Sequence, residues 1–353
     1  MKPSLGWLLV FAPAAIAIHY ASPQANTTVF VLACLAIIPL AGFLGRATEH
    51  LASRTSESVG GLLNATFGNA AELIIGLMAL HRGLYSITKA SITGSIIGNV
   101  LLVLGASILA GGLRHQRQSF NLMSARAQST LLMLAAIALL LPAMVHHVAD
   151  PSKGVQEQGL SVAIAVVLLL AYAMHLLFSL STHRELLEGE SEPEASAEPV
   201  WSLRRALGVL VASTAATAWI SEILIGSVEQ AAHKAGMSEL FVGVIVVATV
   251  GNAAEHSSAV MASWRNRMDL ALSIAVGSSI QIALFVAPVL VLASYFLGPK
   301  PMDLVFTTAE VTAVAVSVII MSQVAGDGES NWLEGAQLLA VYVILGFVFY
   351  FLP

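Results

Sequence analysis

Long apolar stretches separated by short polar breaks dominate the pattern of this chain. A helix needs about 20 apolar residues to cross the hydrocarbon core of a bilayer. Nearly all the charged residues fall in the short breaks between the apolar stretches. The pattern therefore predicts an all-α polytopic membrane protein with about eleven transmembrane helices. The predicted segments are 5–20, 27–45, 58–80, 86–111, 125–147, 159–181, 203–227, 239–263, 269–297, 302–323 and 332–352.

Composition narrows the class of protein further. The chain is 57% hydrophobic and 10% charged, whereas a soluble domain carries about 25% charged residues. No basic stripe accompanies the net charge of −5, which argues against nucleic-acid binding. The dipeptide Gly-Lys, which a Walker A phosphate loop requires, never occurs. Transport would then run on an ion gradient unless a separate subunit supplied ATP, and we expect no cofactor.

The first apolar segment stands apart from the others. It follows the lone Lys2 and allows two interpretations, a signal peptide or a short retained helix. The residues after Ile18 form a poor cleavage site. The sequence therefore favours a retained extra N-terminal helix over 1–24.

The distribution of Lys and Arg predicts the orientation, because cytoplasmic loops are enriched in these residues. With the N-terminus in the cytoplasm, eleven of them fall on that side and five on the other. We therefore expect a cytoplasmic N-terminus and an outside C-terminus. Short loops and the lack of a targeting signal favour a prokaryotic cytoplasmic membrane.

The longest polar break covers 183–202 and contains six Glu and two Pro residues. The simpler interpretation is a solvated cytoplasmic linker between two halves of the chain. A second interpretation is an acidic segment that senses divalent cations, although its spacing of carboxylates is not that of an EF-hand.

An internal repeat is the strongest feature of the sequence. Residues 65–72 (ATFGNAAE) and 248–255 (ATVGNAAE) match at seven of eight positions, with an offset of 183. Five predicted crossings separate the copies, so they run through the membrane in opposite directions. Many secondary transporters contain such an inverted-topology repeat. The sequence thus predicts two inverted five-helix repeats, 25–182 and 203–353.

The repeat carries the best candidates for a cation site. Glu72 and Glu255 lie deep within predicted membrane segments, where a carboxylate is costly and is by default a functional hypothesis. Asn69 and Asn252 precede them by three residues, on the same helical face. Two such half-sites offer carboxylate and amide oxygens, and Ca²⁺ takes about 6–8 oxygen ligands.

Neighbouring segments add polar groups. Ser95 and Asn99 lie four residues apart on the fourth segment, and Ser278 and Gln281 lie three apart on the ninth. Asn99 breaks the symmetry, because Ile282 stands at the equivalent position. Small residues around these sites have a second explanation, since they allow membrane helices to pack closely.

The same carboxylates suggest coupling to protons. Burial and a like-charged neighbour disfavour the ionised form of a carboxyl group, whereas a bound metal favours it. Glu72 and Glu255 would then hold either the cation or protons. His256, directly after Glu255, is a candidate for modulating this exchange, and Glu222 in the seventh segment is a candidate proton relay.

The segments 60–80 (GGLLNATFGNAAELIIGLMAL), 91–113, 241–292 and 327–345 resemble CAX-type calcium/proton exchangers of the calcium/cation antiporter superfamily. The resemblance implies eleven helices in two inverted repeats plus one, with an acidic cytoplasmic segment between the halves. It implies a secondary active antiporter that exchanges Ca²⁺ for H⁺ by alternating access. The residues it implies at the cation site are Glu72, Glu255, Asn69, Asn252, Ser95, Ser278 and Gln281, with His256 after the second motif.

Several alternatives stay open at this point. A sodium/calcium or Mn²⁺/H⁺ exchanger would use the same fold. A Ca²⁺ channel or leak belongs to a different class, and channels typically use rings of like residues in an oligomer. An intramembrane enzyme would have to use the pair of acids as a dyad, and the duplicated Asn has no obvious catalytic role. We do not expect this protein to be an enzyme. We expect its partners to be a divalent cation, protons and the lipid bilayer. A homo-oligomer remains compatible with the sequence.

Overall fold

The computed structural model describes residues 5–22, 24–148, 157–183 and 200–352. The acidic linker expected over 183–202 lies almost entirely outside these residues, so both of its interpretations stay predictions. Thirteen helices and a pair of two-residue strands make up the described part of the chain. The helices are α1 (Gly6–Ala21), α2 (Asn26–Ala52), α3 (Glu57–Phe67), α4 (Ala70–His81), α5 (Tyr85–Arg114), α6 (Leu122–Val148), α7 (Glu157–Thr182), α8 (Leu203–Lys234), α9 (Glu239–Gly251), α10 (Ala253–Trp264), α11 (Met268–Leu297), α12 (Thr308–Val324) and α13 (Trp332–Phe351). The strands are β1 (Gln118–Ser119) and β2 (Glu329–Ser330).

Most of these helices are long and apolar enough to cross a bilayer. Within the described residues seven single helices qualify, or nine if the bent pairs α3–α4 and α9–α10 each count as one span. The helices α1 and α12 are apolar but shorter. The predicted all-α membrane fold is confirmed. The predicted number of eleven crossings stays a prediction, because it requires both shorter helices to cross as well.

The order of elements repeats along the chain. Each half has a long helix, a bent pair, a second long helix and two further helices, α2 to α7 in the first half and α8 to α13 in the second. The second long helix of each half, α5 or α11, contains a π-helical turn, at Gly98–Val103 and Ile282–Val286. The opposed orientation of the two halves stays a prediction.

Both bent pairs break at the duplicated motif. The axes of α3 and α4 differ by 41°, and those of α9 and α10 by 62°. The residue at each break leaves the helical region, Asn69 with φ −100° and ψ 31° and Asn252 with φ −91° and ψ 3°. Gly68 and Gly251 stand immediately before them. Each motif therefore ends one helix and begins the next, which places its glutamate in the first turn of the second helix.

Close helix contacts explain several of the small residues. A Cβ atom on Gly94 of α5 would lie 2.1 Å from the Val244 carbonyl oxygen of α9. A Cβ atom on Gly335 of α13 would lie 2.4 Å from the Leu109 nitrogen of α5. Glycine is required at both positions, as is common where membrane helices pack backbone to backbone. A Cβ atom on Gly277, in contrast, would meet no described atom within 4 Å.

One predicted segment begins in the wrong place. The apolar run from 302 predicts a helix there, but α12 starts at Thr308. The hydroxyl of Thr307 accepts from the Glu310 backbone N–H, and the Glu310 carboxylate accepts from the Thr307 backbone. This reciprocal capping box satisfies the free donors of a helix N-terminus, so the helix starts after Thr307 regardless of the apolar residues before it.

Candidate cation site

The two bent pairs meet at their breaks. Glu72 lies in the first turn of α4 and Glu255 in the first turn of α10. A Cβ atom on Gly251 would lie 3.4 Å from Glu72 Oε1, so the second break lies directly against the first glutamate. A carboxylate near the N-terminus of a helix is also favoured by the helix dipole. The duplicated sequence thus becomes one composite site.

Both carboxylates have an oxygen without a protein partner. The Oε2 atoms of Glu72 and Glu255 are buried, and within the described part of the chain neither has a hydrogen-bond partner. Buried polar atoms are normally paired, and leaving one unpaired costs about 1–3 kcal/mol. Such oxygens are therefore available to a cation or a proton.

The asparagine of the first motif is held by the opposite half of the chain. The Ser278 hydroxyl donates to Asn69 Oδ1 at 2.7 Å, and Asn69 Nδ2 donates to Gln281 Oε1 at 2.5 Å. Ser278 and Gln281 both lie on α11. Ser278 also interacts with the Glu255 carboxylate. This group of side chains therefore connects the first motif to the second glutamate.

The asparagine of the second motif has the converse arrangement. Asn252 Nδ2 donates to Ser95 Oγ of α5 at 3.0 Å. Asn99 Nδ2 donates to Ser278 Oγ at 3.1 Å and contacts Asn252 Oδ1 at 3.5 Å. Asn99 therefore joins the two motifs, although it has no counterpart in the other repeat.

Neither motif asparagine caps its own helix with its side chain. An N-cap asparagine normally accepts a hydrogen bond from the first turn of its helix. The Asn69 side chain instead contacts α11, and the Asn252 side chain contacts both α5 and the Ala248 carbonyl of α9. Each asparagine thus separates two helices and also uses its side chain to contact the other half of the chain.

A cavity of about 620 Å³ opens onto both glutamates. Its lining includes Glu72, Glu255, Ser278 and Gln281, and it reaches Arg46 and Glu49 in the last turns of α2. The sequence pattern did not single out these two cavity residues. Their charges indicate where the second apolar segment ends. Nothing in the sequence pattern places the two residues beside the duplicated motifs.

Two of the predicted proton-coupling residues lie differently from the rest. His256 Nε2 is buried and has no partner within the described ranges, but the ring does not line the cavity. Glu222 pairs with Arg82 Nη2 at 3.4 Å, with 56% of its side chain exposed. The structure does not bring Glu222 to the other site residues, so its role as a relay stays a prediction.

The donor set consists of oxygen atoms. No group of three or more His, Cys, Asp and Glu residues forms a metal cluster in the part of the chain that the structure describes. The site instead offers two carboxylates with hydroxyl and amide oxygens, which suit a hard cation such as Ca²⁺. Two carboxylates also balance the charge of a divalent ion. A cation held here in exchange for protons would be cargo.

A helical membrane protein with two broken helices and unpaired carboxylates at the breaks has the form of a secondary ion transporter. The comparisons with known proteins agree with this class. The family model described as "Sodium/calcium exchanger protein" matches residues 25–181 and 205–351. The chain belongs to this family.

Two curated relatives and one solved structure show how close the similarity is. The chain is 48% identical to the "Ca(2+)/H(+) antiporter" of Aphanothece halophytica, over 98% of this chain and 96% of that protein. It is 47% identical to the "Ca(2+)/H(+) antiporter ChaA" of Bacillus subtilis (strain 168), over 93% of each. The solved structure of native YfkE superimposes with a TM-score of 0.85 at 42% identity, over 99% of this chain and 100% of that one. The predicted resemblance is confirmed, as is the prediction of a transporter rather than an enzyme.

Proposed function

We propose that this protein is a secondary active antiporter that exchanges Ca²⁺ for H⁺ across a membrane. The observation that carries the proposal is the pair of glutamates, Glu72 and Glu255, each with a buried oxygen that no described protein group satisfies. The names of the relatives from Aphanothece halophytica and Bacillus subtilis support the choice of ions. Both ions are substrates, and the exchange needs no cofactor.

In this proposal the cation binds between the two breaks, near the middle of the membrane. Glu72 and Glu255 supply the negative charge, and hydroxyl or amide oxygens of the surrounding network complete the ligands. Ser278 is placed to act in this way because it contacts both motifs. The candidates for the remaining ligands are Asn69, Asn252, Ser95, Gln281 and Asn99.

Protons compete with the cation for the same two carboxylates. Without a cation, two neighbouring buried carboxylates repel each other, so a proton on either of them removes a costly charge. With a cation bound, the charge is balanced and the protons leave. The site is then occupied by one kind of ion at a time, which couples the two fluxes when access alternates between the two sides.

Access in the present conformation is proposed to be from the cytoplasm. The cavity reaches the end of α2, next to the loop that carries Arg54, and the loop after α10 carries Arg265 and Arg267. Positive charge of this kind favours the cytoplasmic side. We place the N-terminus and the 183–202 linker on that side, in a bacterial cytoplasmic membrane.

The test is calcium flux into proteoliposomes under an imposed pH gradient. We expect the wild type to accumulate Ca²⁺ against its gradient when protons can flow the other way. Glu72→Gln and Glu255→Gln each replace a carboxylate by an amide of the same shape, and we expect at least about a hundredfold loss of transport, as for loss of a buried charge interaction of about 3 kcal/mol. Lowering the pH on the cation-loading side should weaken apparent Ca²⁺ affinity, because protons occupy the same oxygens.

A matched control is Glu329→Gln. Glu329 forms an exposed ion pair with Arg117 at 3.0 Å and does not line the cavity, and such pairs contribute about 0–1 kcal/mol. Transport by this variant should equal that of the wild type. Calcium movement that only dissipates its own gradient would identify a channel. Calcium uptake driven by sodium instead of pH, or Mn²⁺ uptake alone, would keep the site and replace the ions.

A further inference from the structure

A tyrosine outside the motifs contacts the first break. Tyr172 of α7 donates its hydroxyl to the Ala65 carbonyl oxygen at 2.9 Å. Both residues are buried, with 5% and 6% of their surface exposed. Ala65 lies four residues before Asn69, so in an uninterrupted helix its carbonyl would accept from the Asn69 N–H. The Tyr172 hydroxyl therefore reaches the last turn of α3, where the break frees carbonyl groups.

The second break is satisfied in a different way. The Ala248 carbonyl, equivalent to Ala65, accepts from the Asn252 backbone nitrogen at 3.2 Å and from Asn252 Nδ2 at 3.0 Å. The Asn252 side-chain amide thus donates one hydrogen bond within its own bent pair. The Asn69 amide donates to Gln281 of the opposite half instead. From the alanine to the asparagine the two motifs differ only at Phe67 and Val250, so we attribute the difference in hydrogen bonding to the helices around them.

A tyrosine on the last helix of the second half does not compensate for this difference. Tyr342 lies on α13, the last helix of its half, as α7 is the last helix of the first. Its hydroxyl contacts Thr249 Oγ1 at 3.4 Å and leaves the Ala248 carbonyl to Asn252. Tyr342 is therefore a natural control for Tyr172.

We propose that Tyr172 is a positioning residue for the cation site. Its hydroxyl satisfies the Ala65 carbonyl and so leaves the Asn69 amide free to hold Gln281 across the interface between the halves. The Tyr172 ring also packs on Phe285 of α11, with centroids 5.6 Å apart, four residues beyond Gln281. The Tyr172 side chain thereby contacts both α3, which ends just before Asn69, and α11, which carries Gln281. This inference rests on the proposed exchange of Ca²⁺ at that site.

Removing the hydroxyl has a specific structural consequence. In Tyr172→Phe the buried Ala65 carbonyl loses its side-chain donor, and a buried unpaired group is costly. The Asn69 amide can replace that donor in the way that Asn252 serves Ala248. The Asn69 side chain then leaves Gln281, which disorders one wall of the cation site. Cation affinity falls while the glutamates that carry the charge remain.

The experiment measures KM and maximal rate for Ca²⁺ in proteoliposomes. For Y172F we expect KM to rise about tenfold, equivalent to about 1.4 kcal/mol, with the maximal rate changed less than about twofold. Y342F should change KM less than about twofold. In an Asn69→Ala background, Y172F should add less than about twofold, because residues that act through one another are non-additive.

A second pair of variants distinguishes loss of the hydrogen bond from a general folding defect. At position 172, 4-aminophenylalanine keeps an N–H donor, whereas 4-fluorophenylalanine fills the same volume without one. The amino variant should keep the wild-type KM, and the fluoro variant should show the tenfold increase expected for Y172F, about 1.4 kcal/mol. Equal KM values for the two, or an undiminished effect of Y172F in the Asn69→Ala background, would overturn the positioning role. A wild type that moves no Ca²⁺ under any gradient would instead reject the proposed function itself.

Discussion

The two ends of the helix bundle differ in the surroundings of their charged residues, which line a cavity at one end and form ion pairs at the other. At one end a cavity leads from Glu72 and Glu255 to Glu49 and the exposed Ser258. At the other end the charged residues are paired. Lys89 Nζ contacts Asp303 Oδ1 at 2.5 Å and donates to the Val305 carbonyl at 2.8 Å. The unpaired oxygens of Glu72 and Glu255 therefore belong to the residues that line the cavity, whereas Asp303 is paired at the opposite end.

Further contacts at the closed end bridge the two halves of the chain. The Tyr85 hydroxyl donates to the Lys300 carbonyl at 2.6 Å, and Arg82 contacts Glu222 at 3.4 Å. Each contact joins a residue near the junction of α4 and α5 to a residue of the second half. The sequence does not distinguish a carboxylate at the candidate cation site from one in an ion pair between the two halves. Their hydrogen-bond and ion-pair partners in the structure do.

The largest expected effect is a difference in thiol accessibility between the ends. In a Cys34→Ala background, which removes the chain's single cysteine, Ser258→Cys should react with a membrane-impermeant maleimide from one face. Thr93→Cys lies one turn inside Lys89 and Thr93 is 0% exposed. Its labelling requires an opening that costs about 3 kcal/mol, which makes it about a hundredfold slower.

The face that labels Ser258→Cys also tests the orientation. Reaction from the cytoplasmic face alone agrees with the proposed topology, and reaction from the outside alone reverses it. Equal labelling of Ser258→Cys and Thr93→Cys from both faces would contradict a bundle that is open at one end.

The next expected effect concerns the pair that closes the other end. Lys89→Met removes the partner of Asp303, and the Lys89 side chain is only 15% exposed. We expect the free energy of unfolding to fall by about 2 kcal/mol, less than the 3–5 kcal/mol for a fully buried pair, because Asp303 is one-third exposed. Thermal unfolding in detergent measures this change. Lys89→Met with Asp303→Asn removes both charges and should recover much of the loss, whereas an additive loss would show that the pair is unimportant.

The smallest expected effect comes from a single methyl group at the site. Gly251→Ala would place a methyl group 3.4 Å from Glu72 Oε1, at ordinary contact distance, so the protein should fold. The methyl group takes space beside the carboxylate, and we expect KM for Ca²⁺ to rise about fivefold, about 1 kcal/mol. Gly277→Ala enters open space among the described residues and is the matched control. Equal KM values in the two variants would show that access to Glu72 is not limited at Gly251.

Much of the fold follows from the sequence, because membrane segments are defined by length and hydropathy. The duplicated motif also predicts that Asn69 and Asn252 act with their glutamates. The start of α12 was missed because the Thr307–Glu310 capping box decides it through local hydrogen bonds, which outweigh the apolar residues before it.

The surroundings of the site were less predictable for a physical reason. Periodicity places residues on a face of a helix but does not give the rotation of one helix against another. Tyr172 and Glu49 therefore gave no signal, although the structure places them at the break and along the cavity. Glu222 gave a signal similar to that of the site glutamates, and its exposed pairing with Arg82 depends on a contact between helices 140 residues apart.

The short pairing of β1 with β2 has a consequence for the synthesis of the protein. Gln118 pairs with Ser330 and Ser119 with Glu329, and Arg117 adds an ion pair to Glu329 across 212 residues of chain. A growing chain carries β1 unpaired while every helix from α6 to α12 is made and inserted. The ribbon can close only when the segment just before α13 has been synthesised, so its formation must follow the synthesis of α1 to α12.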